Sequence, residues 1–399
     1  MPETNKDIPN KAVDFKNVDI VFGDDPGRAI ELLDQGGTRD SILEETGSVL
    51  GVAGATLSVD VGEICVLMGL SGSGKSTLLR AVNGLNKVTR GEILVQDAER
   101  MIDVVSCDAN TLRRLRMERI AMVFQQFALL PWRTVSENVG LGLELRGMEI
   151  AERDRIVREK LKLVDLDQWA DKFAHELSGG MQQRVGLARA FATDAEILLM
   201  DEPFSALDPL IRTHLQDELL DLQRSLKKTI VFVSHDLDEA LKIGNHIAIM
   251  EGGRIVQYGK PEDIILNPAT DYVRDFVSHV NPLNVLSGVS IMKTLAGRSG
   301  EIELDRVGYA RLHLSADGSL DQVQINGQEG RFVSHTDPDD SSDPFCICTA
   351  PTEITIRDAI EKRQLTGNPV VLVEDGKAVG YIGDDEILNA LVGQAEGAG

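Results

Sequence analysis

The sequence predicts an α/β domain built on a parallel sheet with helices on both faces, followed by a smaller α+β domain. Three observations carry that reading. Between about residues 61 and 280, apolar β-rich runs alternate with amphipathic helical runs, the pattern of strand–helix–strand units. A glycine-rich loop of phosphate-binding pattern stands where the first of these runs meets a helix. After residue 284 the pattern weakens, then sharpens again from Thr352. The chain's 399 residues give room for two or three domains, and the boundaries read as 1–283 and 284–399.

The elements follow in order. Phe15–Phe22 reads as a strand. The Gly- and acid-rich passage Gly23–Gly47 carries two short helical patterns, around Ala29–Leu33 and Ser41–Glu45. The runs Ile64–Met68, Ile120–Phe124, Ile197–Met200, Ile230–Val233 and Ile247–Met250 supply the strands of the sheet. Leu215, Leu219 and Leu222, spaced three or four apart with charges between, mark a helix over Arg212–Ser225. The turn chemistry of Asn281–Asn284 suits a domain junction, and the Asp-, Ser- and Pro-rich stretch His335–Pro344 suits an exposed loop. A helix (Ile356–Arg363), a strand (Pro369–Val373), a turn at Asp375–Gly376, a strand (Ala378–Ile382) and a helix (Asp384–Leu391) close the chain.

Composition removes several functions. No apolar run approaches the roughly 18 residues that cross a bilayer, and the first ten residues carry no apolar segment of a secretory signal. Four cysteines give no disulfide framework, which fits a reducing compartment. A formal charge of −23 repels phosphate backbones, and 4% aromatics leaves little for base stacking, so nucleic acid is not an expected partner.

The phosphate loop is the strongest chemical signal. Gly69-Leu-Ser71-Gly72-Ser73-Gly74-Lys75-Ser76 follows the strand Glu63–Met68 and opens a helix. Glycines let the loop curl so that its N–H groups converge on oxyanions, and the helix N-terminus adds partial positive charge. Lys75 supplies a full charge for the β- and γ-phosphates of ATP, and Ser76, followed by Thr77, offers a hydroxyl to Mg²⁺. Ile197-Leu-Leu-Met-Asp201-Glu202-Pro203 ends a strand in two adjacent acids; in a nucleotide site the first holds Mg²⁺ through water and the second polarises the attacking water. Leu177-Ser178-Gly179-Gly180-Met-Gln-Gln-Arg184 opens a second helix with another anion-binding terminus. Two such termini make sense if each serves a different face of one ATP.

With these motifs the sequence resembles the ATP-binding subunits of ABC transporters over roughly residues 12–280. The resemblance implies a P-loop NTPase fold, the ABC nucleotide-binding domain with its helical subdomain. It implies that Gln125 is the glutamine at the subdomain hinge and a metal-side group, that Ser205-Ala-Leu-Asp208 is the loop facing a second copy, and that His235 is the switch histidine. Phe22 is similar to the aromatic that stacks on adenine; Asp201 takes the Mg²⁺ role with Ser76, and Glu202 the general-base role. It further implies a head-to-tail dimer with two ATP molecules sandwiched, each between Lys75 of one copy and Ser178 and Gly180 of the other. Membrane permease subunits would be driven by that dimer from the cytoplasmic face of the membrane, and an extracytoplasmic binding protein would be an indirect partner.

Finer features resemble the glycine betaine/proline/choline importer branch. The chain inserts Arg28–Ser48 where most importer ATPases have a short hairpin, and Leu130-Pro-Trp-Arg-Thr-Val is similar to the choline members. Thr352–Leu391 resembles one CBS motif, with no recognisable first copy. Nucleotide-binding CBS motifs carry Ser or Thr and Asp where this chain has Gly383 and Glu386. Residues 285–399 hold 9 Lys plus Arg against 19 Asp plus Glu, which disfavours a lipid-sensing surface and leaves a packing module as the plainer reading.

The rival reading is a soluble ABC ATPase of nucleic-acid repair or translation. Repair types insert long coiled coils between the motifs and translation types carry two nucleotide-binding domains; this chain has neither feature. Cys346-x-Cys348 lacks a second ligand pair for metal, and His214 reads as a surface residue. Arg113, Arg114, Arg116 and Arg119 read as a solvated helical face.

Overall fold

The computed structural model describes residues 10–278, 280, 281, 283, 285–305, 308–336 and 343–392. The first ten residues but Asn10, part of the expected junction (Pro282, Asn284) and most of the loop His335–Pro344 lie outside them. The chain divides into two compact units between Pro261 and Glu262, so the expected 283/284 junction falls within the second.

In the first unit the strands are β1 (Lys11–Phe22), β2 (Val49–Asp60), β3 (Ile64–Met68), β4 (Arg90–Asp97), β5 (Arg100–Asp103), β6 (Ile120–Val123), β7 (Ile197–Asp201), β8 (Thr229–Val233), β9 (His246–Glu251) and β10 (Arg254–Gly259). The helices are α1 (Pro26–Asp34), α2 (Arg39–Thr46), α3 (Lys75–Val82), α4 (Ala109–Glu118), α5 (Val135–Val139), α6 (Leu141–Leu145), α7 (Ile150–Leu163), α8 (Gly179–Ala192), α9 (Pro209–Leu226) and α10 (Leu237–Ile243). The six-stranded sheet has the order β10-β9-β3-β8-β7-β6, and every neighbouring pair but β10–β9 is parallel. All five expected apolar runs lie in it. β3, β7 and β8 are buried throughout, as strands covered on both faces must be.

One covering differs from expectation. A second, antiparallel sheet, β2-β1-β4-β5, lies on one face with α3 between the sheets. Cys65, Leu67, Leu199, Val231, Val233 and Ala248 point into that layer, where they meet Leu78, Leu79 and Val82 of α3 and Phe15, Ile20, Val59 and Ile93 of the second sheet. Helices therefore cover one face, and α3 plus a sheet covers the other. β4 and β5 are polar on their outer side and short, which hid them among loop signals.

The arginine cluster also departs from a solvated face. Asp97, 6% exposed, accepts both Nη atoms of Arg114 (3.1 and 2.7 Å) and Nε of Arg119 (3.2 Å), and Arg116 Nε donates to the Asn83 carbonyl (2.7 Å). Arg113 alone of the four remains simply exposed. A buried carboxylate is stable only when paired, and the arginines tie α4 to β4.

The second unit has α11 (Pro261–Leu266, beginning at the division), α12 (Asp271–Val277), α13 (Gly288–Ile291), α14 (Ile356–Thr366) and α15 (Asp384–Val392). Its strands are β11 (Lys293–Thr294), β12 (Gly300–Glu303), β13 (Ala310–Leu314), β14 (Leu320–Ile325), β15 (Gln328–Glu329), β16 (Arg331–Ser334), β17 (Cys346–Ala350), β18 (Val370–Glu374) and β19 (Lys377–Ile382). A mixed sheet, β11-β19-β18-β17-β16, is sandwiched. Ile347, Val371, Ala378 and Tyr381 face an antiparallel meander, β12 to β15, whose Leu312, Leu314, Val323 and Ile325 close one core. Cys348, Val370, Leu372 and Ile382 face α14 and α15 through Ala359 and Ile387. Gly383 N–H donates to Glu386 Oε2 (2.9 Å), and Asp384 pairs with Arg363 (2.8 and 2.6 Å). Among the described residues no helix is long and apolar enough to cross a membrane.

Candidate functional site

The loop 69–74 leaves the buried strand β3 and ends at α3, whose N-cap Gly74 has φ 100°. A Cβ there would meet the Gly51 carbonyl at 2.4 Å, so only glycine lets the loop close against β2. Lys75 is 6% exposed and its Nζ donates to the carbonyls of Gly69 (2.7 Å) and Leu70 (2.9 Å), which holds the cation over the loop. Burial lowers its pKa, and the nearby carboxylates of Glu202 and Asp201 act in the opposite sense.

Strand β7 ends beneath the start of α3. Asp201 is fully buried; its Oδ1 accepts from Ser76 Oγ (2.6 Å), and its Oδ2 accepts from Arg80 Nε (3.1 Å) and Nη2 (2.7 Å). Arg80 went unnoticed in the sequence, although it sits one helical turn after Ser76 and so on the same face. Ser76 and Gln125 line the cavity described below, while Asp201 does not and stands buried behind Ser76, paired with it and with Arg80; their oxygens are the hard donors that Mg²⁺ accepts, with phosphates and water supplying the rest.

Glu202 has φ 49°, a left-handed conformation costing about 1 kcal/mol or more for a residue with a side chain. Neighbours impose it. Its N–H donates to the Val233 carbonyl (3.1 Å), and its own carbonyl accepts from Gln183 Nε2 (3.0 Å) and Ser205 Oγ (3.0 Å). Gln183 is fully buried, and its Oε1 accepts from Ala206 N–H, so one side chain clamps both ends of the turn after β7. Turned this way, Glu202 Oε2 meets Gln125 Nε2 at 3.2 Å and His235 Nδ1 at 3.4 Å.

These groups line a cavity of about 540 Å³ with Phe22, Arg39, Val49, Gly51, Ser71, Gly72, Gly74, Lys75, Ser76 and Thr77. The Phe22 ring, 42% exposed, lies over Gly51, where a Cβ would come within 2.9 Å of it. Gly69 and Ser73 do not line the cavity; the Ser73 N–H turns inward to the Leu70 carbonyl. Ser178, Gly179, Gly180 and Asp208 are also outside it. Ser178 and Asp208 cap α8 and α9, accepting from Met181 N–H (3.4 Å) and Ile211 N–H (3.1 Å), and both are exposed. Arg39 was missed because it reaches the site from the inserted segment, and nothing local in sequence signals a contact across 33 positions. Cys346 and Cys348 are buried thiols in no disulfide, and burial pushes Cys348 up to about 11. No group of three or more His, Cys, Asp or Glu able to hold a metal occurs among the described residues.

A phosphate loop opening α3, an acid pair closing β7 and a second helix that starts Ser178-Gly179-Gly180 define an ATPase of the ABC class. The family model for the ABC transporter matches residues 52–205. Over 281 residues the chain is 50% identical to the glycine betaine/proline betaine transport system ATP-binding protein ProV of Escherichia coli (strain K12), covering 70% of this chain and 69% of that one. It is 41% identical over 383 residues to the glycine betaine/carnitine transport ATP-binding protein GbuA of Listeria monocytogenes serotype 1/2a (strain 10403S), covering 94% and 96%. Among solved structures it is similar to the dimeric bacterial ABC transporter cassette MJ0796, with TM-score 0.54 and 32% identity, covering 62% of this chain and 98% of that one. The chain belongs to the family of ABC importer ATP-binding subunits that contains ProV and GbuA. It is therefore an ATPase that takes ATP with Mg²⁺ and works as a dimer with membrane permease components. The repair or translation reading is set aside.

Proposed function

We propose that the chain powers uptake of a quaternary ammonium solute, of the glycine betaine, choline or proline betaine kind, from the cytoplasmic face of the membrane. The observation that carries the catalytic part is the strained Glu202, held with Oε2 between Gln125 and His235 beside Lys75 and the Ser76–Asp201 pair. Lys75 balances the charge of the β- and γ-phosphates. Ser76, Asp201 and Gln125 would hold Mg²⁺, which when bound would supply positive charge against the phosphates. Glu202 Oε2 orients the attacking water and accepts its proton, and His235 steadies the carboxylate and the developing charge. Phe22 stacks on adenine. Ser178 and Asp208, exposed N-caps away from the cavity, with Gly179 and Gly180 in the first turn of α8, serve the ATP held by a second copy in a head-to-tail dimer.

An open apolar groove of about 340 Å³ supports permease docking. Leu85, Met122, Phe124, Leu141 and Leu145 line it. Beside it, Phe127 and Ala128 adopt left-handed φ (58° and 46°), their carbonyls held by Arg189 (2.9 and 2.7 Å), and Trp132 is 70% exposed. An open apolar groove of this kind marks an interface, and its Phe124 directly precedes Gln125, which links docking to chemistry.

The solute class rests on the relatives, whose names specify glycine betaine, proline betaine, carnitine and trimethylamine N-oxide. Recognition of a methylated ammonium by an aromatic cage would fall to the permease and an extracytoplasmic binding protein. The tail, CBS-like from Thr352, acts as a packing module: the Glu386 carboxylate is spent on Gly383 N–H and Asp384 on Arg363. The test is ATPase activity of the reconstituted transporter with its binding protein. Stimulation by glycine betaine or choline is expected. Stimulation only by a solute without a methylated ammonium would contradict the assignment.

A further inference from the structure

The inserted helical hairpin reaches the nucleotide cavity through one residue, Arg39. Ala29, Leu32 and Leu33 of α1 and Ile42 of α2 pack with Val21, Leu50 and Ala53 of β1 and β2 in a closed apolar cluster. Asp34, at the end of α1, takes a two-pronged bond from Arg90 (2.8 and 2.8 Å), whose Nε also reaches Asp19 (2.7 Å). Thr38 and Ser41 form a reciprocal cap at the start of α2, which fixes the backbone at the next residue, Arg39. Packing, an ion pair and a cap thus place one side chain.

That side chain crosses to the phosphate loop. Arg39 Nη1 donates to the Gly72 carbonyl (2.7 Å), and the residue lines the cavity with Ser71, Gly72, Lys75 and Thr77. Residues 23–48 are acidic, with Arg28 and Arg39 as their two cations. Arg28 is paired with Glu31 (2.9 Å). Arg39 meets no carboxylate among the described residues, and the remaining donors of its fork are open to a ligand. A planar guanidinium suits phosphate oxygens. Its bond to the Gly72 carbonyl puts the charge on the phosphate loop.

We infer that Arg39 is a nucleotide-binding residue, a second cation on the polyphosphate supplied by the insertion. This rests on the phosphate-loop reading above. Binding of Mg-ADP and of adenosine to the full-length chain would be measured by calorimetry for wild type, Arg39→Ala, Arg39→Lys and Lys75→Ala. Arg39→Ala is expected to weaken Mg-ADP about 10- to 100-fold, as loss of one charge-assisted bond does, with adenosine binding unchanged. Arg39→Lys should recover most of the affinity, and the KM for ATP should rise with kcat nearly constant. Mg-ADP affinity within twofold of wild type in Arg39→Ala would overturn the inference. So would an equal loss for adenosine, which would make Arg39 a prop for the loop. If Lys75→Ala binds Mg-ADP as wild type does, the phosphate-loop reading itself falls, and the inference with it.

Discussion

At the scale of single residues, the site depends on groups that hold other groups. Gln183 touches no cavity surface, yet it fixes the backbone of Glu202 and the N–H of Ala206. Gln183→Ala should leave nucleotide affinity within about twofold, since Lys75 and the loop are untouched, and should cut kcat at least about tenfold by freeing the Glu202 turn. Steady-state kinetics with a binding titration checks the split; a variant with wild-type kcat would remove the clamp from the account. Lys75, Ser76, Asp201 and Glu202 were legible in the sequence because each sits in a short motif at a strand end or helix start, whereas Gln125 and His235 were picked out only by the resemblance to the ABC family. Arg80, Gln183 and Arg39 were not, because their partners lie on other elements and only the assembled sheet brings them together.

At the scale of elements, the parallel sheet was readable because buried strands are continuous apolar runs. The antiparallel sheet was not. Its β1 was expected over Phe15–Phe22, but β4 and β5 alternate or are polar, and the pairing of β1 with β2 shifts register at several positions. The four arginines looked like a solvated face because sequence does not show the buried acid they answer. The Arg114 guanidinium, with Arg119 in support, holds the Asp97 carboxyl below the usual carboxylate range. A carboxylate whose pKa is depressed in the folded state stabilises that state above its unfolded value, near 4, and stops doing so as pH falls through the lower folded value. Asp97→Asn should therefore cost about 1–3 kcal/mol at pH 7, measured by urea unfolding. The gap to wild type should hold between pH 7 and 5 and narrow as the pH is taken below about 4. A gap that persists unchanged into strong acid would assign the loss to packing instead of charge.

At the scale of the whole molecule, the helix–strand–strand–helix end of the tail was visible in sequence, while the meander β12 to β15 was not, although Ala310–Leu314 alternates buried and exposed residues. None of the nucleotide-site residues belongs to that region. Removal of 285–399 should preserve Mg-ATP binding and basal hydrolysis, with any loss confined to thermal stability or assembly. A salt- or nucleotide-dependent change in activity seen only with the tail present would make it a sensor. The caps at Ser178 and Asp208 are exposed and outside the cavity, and the proposed head-to-tail pairing would set them against the ATP of a second copy, as a composite site.

The most direct test of that composite site uses Glu202→Gln, an amide that cannot take a proton from the attacking water. Light scattering on the eluted full-length variant should show a monomer without nucleotide and a stable dimer with Mg-ATP, and the dimer should be lost when Ser178→Arg is added. A Glu202→Gln variant that binds Mg-ATP and stays monomeric, or one that hydrolyses ATP at the wild-type rate, would contradict the account.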